Sequence, residues 1–132
     1  MPYLPPTQCR RITALLVPAD DAHPVRVVQV EDHARVISET IGGGLLDETA
    51  ALLPDGQAVT LYLDEDRLAA GLPNNPRAAR LAAHLRLRHR IPSAQLRGDL
   101  LVTGLDAAHA DTNVPSSVLA AARRAGLLRR DR

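Results

Sequence analysis

The sequence predicts an α+β domain, in which a small antiparallel or mixed sheet of about four to five strands carries helices packed on one face. Apolar, β-branched runs predict strands at 12–17, 25–30, 58–63 and 99–105. Amphipathic runs predict helices at 33–41, 77–89 and 116–126. These elements lack the regular strand–helix alternation of a parallel α/β fold, which excludes that class.

The connecting segments support this order of elements. Prolines and aspartates between the first two runs form a turn, so those two strands pair antiparallel. Asp32 is a candidate N-cap for the first helix, and Gly42 supplies the left-handed position after it. The run 45–53 fits either a strand or one helical turn followed by a loop. Pro92 is expected to stop the second helix and Pro115 to open the third.

Length and composition predict one domain over residues 12–128 of the 132-residue chain, with a flexible N-terminal arm at 1–11 and a disordered tail at 129–132. Cys9 is the single cysteine, so an intrachain disulfide is excluded. No apolar run approaches the roughly 20 residues of a membrane span. We therefore expect a cytoplasmic protein without a membrane partner.

Charge is distributed unequally along the chain. Residues 1–76 carry five arginines against eleven acidic residues, and residues 77–132 carry eleven arginines against four. This pattern indicates a face for an acidic protein partner, or two halves that complement each other within the monomer or across a homodimer. Every basic residue other than histidine is an arginine, a bias that is also typical of GC-rich genomes.

The arginines after position 76 form a candidate partner face. On a helix over 77–89, the side chains of Arg77, Arg80, His84 and Arg88 fall within an arc of about 80°. We expect this stripe to meet a protein partner, with nucleic acid as the weaker alternative. A few phosphate contacts support only weak non-specific binding, and two tyrosines without Phe or Trp provide no stacking platform.

The segment 71–80, Gly-Leu-Pro-Asn-Asn-Pro-Arg-Ala-Ala-Arg, is the candidate ligand site, with Asn74, Asn75 and Arg77 as the residues that would hold a nucleotide or other anion. Asn75 is also a preferred N-cap, and Pro76 is favoured at the first helical position. Arg77 opposes the helix dipole, so an anion or carboxylate is expected nearby. The negative group beside Arg77 could belong to a bound anion, to a partner chain or to the acidic turn Asp64–Asp66, and we favour the turn.

Other motifs are too weak to predict catalysis, a metal or a cofactor, and we expect none of these. Gly42–Gly44 follow a helix instead of preceding one, so they do not form a phosphate loop. Asp64 and Asp66 are too few oxygen ligands for a divalent cation. Asp106, His109 and Asp111 are the nearest approach to an acid/base cluster, and they define a third functional alternative, an enzyme. Ser116 and Ser117 are explained by capping.

Several motifs together resemble a bacterial and phage domain-of-unknown-function family, number 3846. They are the run 25–30, the Ile41–Gly43 helix end, the acidic turn 64–66, the Gly71–Pro73 segment with Asn75 and Arg77, and the strand from Gly98 and Asp99 to Gly104. The resemblance spans about residues 12–120. It departs from the family pattern at Pro76, which is inserted between Asn75 and Arg77, and in the longer segment 78–95. It implies an α+β domain frequent in mobile-element genomes and no established activity.

Overall fold

The computed structural model describes residues 10–129 and contains a six-stranded antiparallel sheet with three helices, which confirms the α+β class. The elements are β1 (Arg11–Val17), β2 (Arg26–Glu31), α1 (Ala34–Thr40), β3 (Leu46–Leu52), β4 (Ala58–Asp64), α2 (Pro76–Leu85), a 3₁₀ turn (Ser93–Gln95), β5 (Leu100–Leu105), β6 (Asp111–Thr112) and α3 (Ser116–Arg124). The strands lie in the order β2-β1-β5-β4-β3, and β6 pairs with the end of β5. The long strands β2 and β3 therefore form the two edges.

Two hairpins meet on a strand that comes from later in the chain. The β1–β2 hairpin places Ile12 opposite Val30, as the turn between the two runs predicts. The run 45–53, left open between strand and helix, forms β3 and pairs along the whole of β4. β5 joins the hairpins, since Val102 lies opposite Leu15 of β1 and opposite Leu61 of β4.

The sheet separates two apolar cores, because successive strand residues point to opposite faces. On one face, Leu15, Leu61 and Val102 pack with Leu81 of α2 and Val118 of α3. On the other face, Ile12, Leu16, Tyr62 and Leu101 pack with Ile37 and Ile41 from the end of α1 and the residue after it. α1 thus lies opposite α2 and α3, which corrects the prediction that the helices share one face. β1 is apolar on both of its faces, so each face requires a helical cover.

Two helix ends differ from the sequence prediction. α1 is capped by His33 instead of Asp32, and the His33 Nδ1 accepts a hydrogen bond from the Arg35 backbone N–H at 3.1 Å. α2 ends at Leu85, several residues before Pro92, because Arg86 adopts a left-handed conformation with φ of 54°. This turn brings Leu87 into the core.

The predicted N-terminal arm at 1–11 and tail at 129–132 lie mostly outside the described residues. β1 begins at Arg11, one residue before the predicted boundary. Residues 1–9, with Cys9, and residues 130–132 lie outside the described residues. Within residues 10–129, no helix is long and apolar enough to cross a membrane.

Gly104 of β5 packs directly against the chain at residues 112 and 113. A Cβ at this position would lie 2.5 Å from the Asn113 carbonyl oxygen and would also overlap Thr112 Oγ1. We expect Gly104→Ala to lower the free energy of unfolding by about 1–3 kcal/mol through overpacking, measured by chemical denaturation. Adding Thr112→Ala removes only the side-chain overlap and should recover part of the loss. Full recovery in the double variant would show that the Asn113 backbone imposes no constraint.

Candidate functional site

Asp111 is the centre of a buried polar cluster on the α1 face of the sheet. Its side chain accepts hydrogen bonds from Thr60 Oγ1 at 3.1 Å, from Thr103 Oγ1 at 3.2 Å and from the Tyr62 hydroxyl. The cluster forms because Thr60 and Tyr62 are alternate residues of β4 and Thr60 lies opposite Thr103. The three hydroxyl groups supply the hydrogen bonds that a buried carboxylate requires.

A polar pocket of about 340 Å³ opens beside this cluster. Its polar lining consists of Asp32, Glu48, Thr60, Tyr62, His109 and Asp111. Of the predicted acid/base set, the structure brings His109 and Asp111 to the same pocket. Asp106 instead closes its own turn by accepting hydrogen bonds from the N–H groups of Ala108 and Ala110, both at 2.9 Å.

Two ionisable groups of the pocket have raised pKa values. Burial raises the pKa of Tyr62, and its hydrogen bond to Asp111 adds to the effect, so Tyr62 remains a neutral donor. Burial also raises the pKa of Asp32, and the nearby Asp111 charge raises it further, against the opposing effect of Arg10. The Arg10 guanidinium lies 3.8 Å from the Asp32 carboxylate and also donates to the Asp111 carbonyl.

Asn75 lies at the junction of β1, β5 and α2, and its side chain is 1 % exposed within the core. Its Oδ1 accepts a hydrogen bond from the Ala78 N–H at 3.0 Å, which makes Asn75 the N-cap that the sequence predicts. Its Nδ2 donates to the Val17 and Gly98 carbonyl oxygens, both at 2.9 Å. The amide group of Asn75 is thus fully engaged by the protein itself.

Arg77 faces the loop between β1 and β2, which corrects the expectation that it faces the acidic turn. One terminal nitrogen of its guanidinium donates to the carbonyl oxygens of Pro18, Asp20 and His23 at 2.7–2.9 Å. Its Nε lies 3.9 Å from the exposed carboxylate of Asp21. Arg77 therefore holds the β1–β2 loop against the first turn of α2.

The acidic turn instead lies beside Arg67, a residue that spacing in the sequence did not single out. Arg67 is buried and donates to the Asp47 carboxylate at 2.8 Å, the Asp64 carbonyl at 3.1 Å and the Gln95 carbonyl at 2.6 Å. The Asp64 side chain accepts from the Asp66 N–H and so closes the turn. In the part of the chain that the structure describes, no group of three or more His, Cys, Asp or Glu side chains is placed to hold a metal ion.

Asn74 does not share the buried environment of Asn75. It is exposed and forms an isolated antiparallel bridge with Arg97. The structure therefore separates the three residues of the candidate ligand site, since Asn75 points into the core, Arg77 to the β1–β2 loop and Asn74 to the surface. Anion binding by this set stays a prediction, and the internal partners of Asn75 and Arg77 leave it without structural support.

The predicted basic stripe is divided by the early end of α2. Arg80 and His84 lie on the helix, Arg77 is withdrawn into its contacts with the loop, and Arg88 lies beyond the helix end. The Arg88 backbone N–H donates to the Leu52 carbonyl at 3.1 Å, so this segment follows the end of β3. The basic face consequently continues along the loop after α2 instead of along a helix.

Two adjoining clefts lie at this end of the molecule, with Arg86 between them. The first, of about 550 Å³, includes Leu53, His84, Arg86, Ser117, Ala121 and Arg124 in its lining. The second, of about 700 Å³, includes Ala79, Ala82, Arg86, Leu87, Arg90 and Ile91. We call the set Arg80, His84, Arg86, Arg88, Arg90 and Arg124 the arginine surface. The sequence indicated an Arg-rich face, but it did not indicate the clefts, which depend on the left-handed turn at Arg86.

Comparisons with known proteins add no relative to this description: no family model matches the chain, and neither a curated protein nor a solved structure shows significant similarity to it. The resemblance to family 3846 therefore stays a prediction. Its Asn and Arg positions, Asn75 and Arg77, hold the fold together in this chain through the contacts described above.

Asn75 provides a test of this structural role. Asn75→Ala loses the cap, worth about 1 kcal/mol, and the two buried hydrogen bonds from Nδ2 to the Val17 and Gly98 carbonyls, each worth about 0.5–1.5 kcal/mol. We expect an overall loss of roughly 3 kcal/mol or more in denaturant unfolding. Asn75→Asp keeps the cap acceptor but places a second oxygen against the Val17 and Gly98 carbonyls, so it should be at least as destabilising. A stable Asn75→Asp variant would show that only the cap matters.

Asp32 provides a pH test of the polar cluster. A carboxyl group with a raised pKa binds more protons in the folded state, so its contribution to stability falls as pH rises from its usual pKa of 3.8 through the raised value. Asp32→Asn removes this loss. We expect the variant to be more stable than the native protein at pH 7 and to show a smaller decline above about pH 4. Glu39→Gln, on the exposed side of α1, is the control and should leave the pH profile unchanged.

Proposed function

We propose that this protein is a small binding protein whose arginine surface docks an acidic segment of a partner protein. The observation that carries the proposal is a set of five arginines without internal partners. The guanidinium groups of Arg80, Arg86, Arg88, Arg90 and Arg124 form no ion pair or hydrogen bond within residues 10–129. By contrast, Arg10, Arg35, Arg67 and Arg77 each lie within 4 Å of a carboxylate.

The shape and composition of the clefts support an acidic peptide segment as the occupant. Apolar side chains such as Leu53, Ala82 and Ile91 line the clefts, together with the arginines at 86, 90 and 124. A segment that combines carboxylates with small apolar residues would match both features.

Arg86 adopts a left-handed backbone conformation that lowers the stability of the fold. It is one of only two non-glycine residues with positive φ in residues 10–129, at the position after a helix where glycine is preferred. A left-handed conformation costs an L-residue about 1–2 kcal/mol, whereas glycine loses about 0.5–1 kcal/mol through its greater freedom in the unfolded chain. An arginine at this position therefore makes the fold less stable than a glycine would. Its side chain lies between the two clefts, and a role in binding accounts for this loss of stability.

The test is titration calorimetry of the full chain with a short polyglutamate peptide at low ionic strength. We expect saturable binding that weakens with salt, and Arg86→Gly should weaken it about tenfold, or ~1.4 kcal/mol. The same substitution should raise the free energy of unfolding by about 0.5–1 kcal/mol, so loss of binding cannot be attributed to misfolding. Arg35→Gln removes the same charge from α1, on the opposite face, and should change affinity by less than about twofold.

Three outcomes would overturn the proposal. They are the absence of binding at low salt, equal losses in Arg86→Gly and Arg35→Gln, and tighter binding of a DNA duplex than of the peptide. The last result would assign the arginine surface to nucleic acid, with a log–log salt slope set by the number of phosphates contacted.

A further inference from the structure

The outward backbone groups of the two edge strands differ in how well they are protected. In β2, the Asp32 N–H donates to the Arg10 carbonyl, which fixes the alternation of the ladder with β1. The N–H and C=O groups of Val28 and Val30 consequently point toward β1, and those of Val27, Gln29 and Glu31 point away from the sheet. Of these outward groups, the Glu31 carbonyl accepts a bond from His33, and the others have no backbone partner within the described residues.

The β3 edge carries features that prevent pairing with another strand. Its ladder with β4 directs the backbone groups of Glu48, Ala50 and Leu52 outward. The Leu52 carbonyl is already occupied by the Arg88 N–H, so the loop after α2 covers this end of the edge. Glu48 also places a charge among the outward residues of this edge. These are the usual protections of an edge strand.

The β2 edge is less protected, because among its outward backbone groups only the Glu31 carbonyl, at its end, has a backbone partner within the described residues. The sequence Arg-Val-Val-Gln-Val-Glu is β-branched, contains neither proline nor glycine, and carries charge only at its ends. Val27, its second residue, is 44 % exposed. An apolar edge strand of this kind is a template for another strand.

We propose that β2 pairs antiparallel with β2 of a second copy of this chain, with Gln29 opposite Gln29 on the two-fold axis. In this register Val28 lies opposite Val30 of the other copy, and Arg26 lies opposite Asp32. In an antiparallel pair, outward residues must lie opposite outward residues. In the neighbouring symmetric registers, the partner of each residue is therefore two positions further along the other strand. Either shift separates Arg26 from Asp32, and the charges at the strand ends therefore select the centred register.

The pairing extends the sheet across both copies and uses backbone groups that the monomer leaves open. α1 follows the edge strand after His33 and packs Ile37 and Ile41 onto one face of the sheet, together with Val30 of β2. The surface in contact is a single strand, smaller than a standard interface, and a reversible, concentration-dependent dimer is expected. The inference is independent of the arginine surface, since Arg86→Gly changes no residue of β2.

The experiment is sedimentation equilibrium of the full chain combined with amide hydrogen exchange at low and high protein concentration. We expect a monomer–dimer equilibrium, with the amides of Val27, Gln29 and Glu31 exchanging more slowly at high concentration. The outward amides of Glu48 and Ala50 in β3 are the internal control and should exchange at the same rate throughout. Protection confined to β3, or a chain that remains monomeric and shows no change at Gln29, would overturn the proposal.

Charge substitutions test the register. Arg26→Glu brings a second carboxylate to Asp32 of the other copy, and we expect the dimer dissociation constant to rise about tenfold or more. Arg26→Glu combined with Asp32→Arg restores the pair and should recover most of the affinity. Gln29→Thr keeps a strand-forming residue and should dimerise as the native chain does. Failure of the double variant to recover affinity, while its monomer unfolds normally, would overturn the register.

Discussion

The buried side chain of Asn75 is the connection on which the rest of the structure depends. Three elements that are distant in the chain meet at one amide group: the end of β1 at Val17, the start of β5 at Gly98 and the first turn of α2 at Ala78. Neither carbonyl group could reach water at this depth, so each requires a donor from the protein. Arg77 then extends the same junction to the β1–β2 loop. The segment 71–80 is in this way the joint between sheet and helix.

The sequence is informative wherever local chemistry determines structure. The cap at Asn75, the β1–β2 hairpin and the left-handed glycines after α1 all follow from residue types at short spacing. The end of α2 could not be predicted in this way, because nothing in the run around Arg86 breaks a helix. There the burial of Leu87 and the bond from Arg88 to β3 outweigh helix propensity. The face of the sheet that α1 covers could not be predicted either. Because β1 is apolar on both faces, its pattern does not indicate which helix covers which face.

The candidate sites show the same difference between features that depend on local sequence and features that depend on long-range packing. Spacing brought Asp106, His109 and Asp111 to attention, but the partners of Asp111 are Thr60, Tyr62 and Thr103, which come from distant strands. Polar residues within apolar strands were the available signal, and only the register of β4 against β5 brings them together.

The arginines also divide into two groups. Some lie beside a carboxylate within the fold, and those that line the two clefts form no ion pair among the described residues.

The central position of β5 has a consequence for synthesis of the chain on the ribosome. Both hairpins consist of residues before position 65, yet neither β1 nor β4 has its inner neighbour until residues 100–105 exist. Until then, the backbone groups of β1 and β4 that face β5 remain unpaired, and both apolar cores lack the residues that β5 contributes. The two hairpins therefore cannot join into one sheet before β5 has been made, and β5 unites them in a cooperative step.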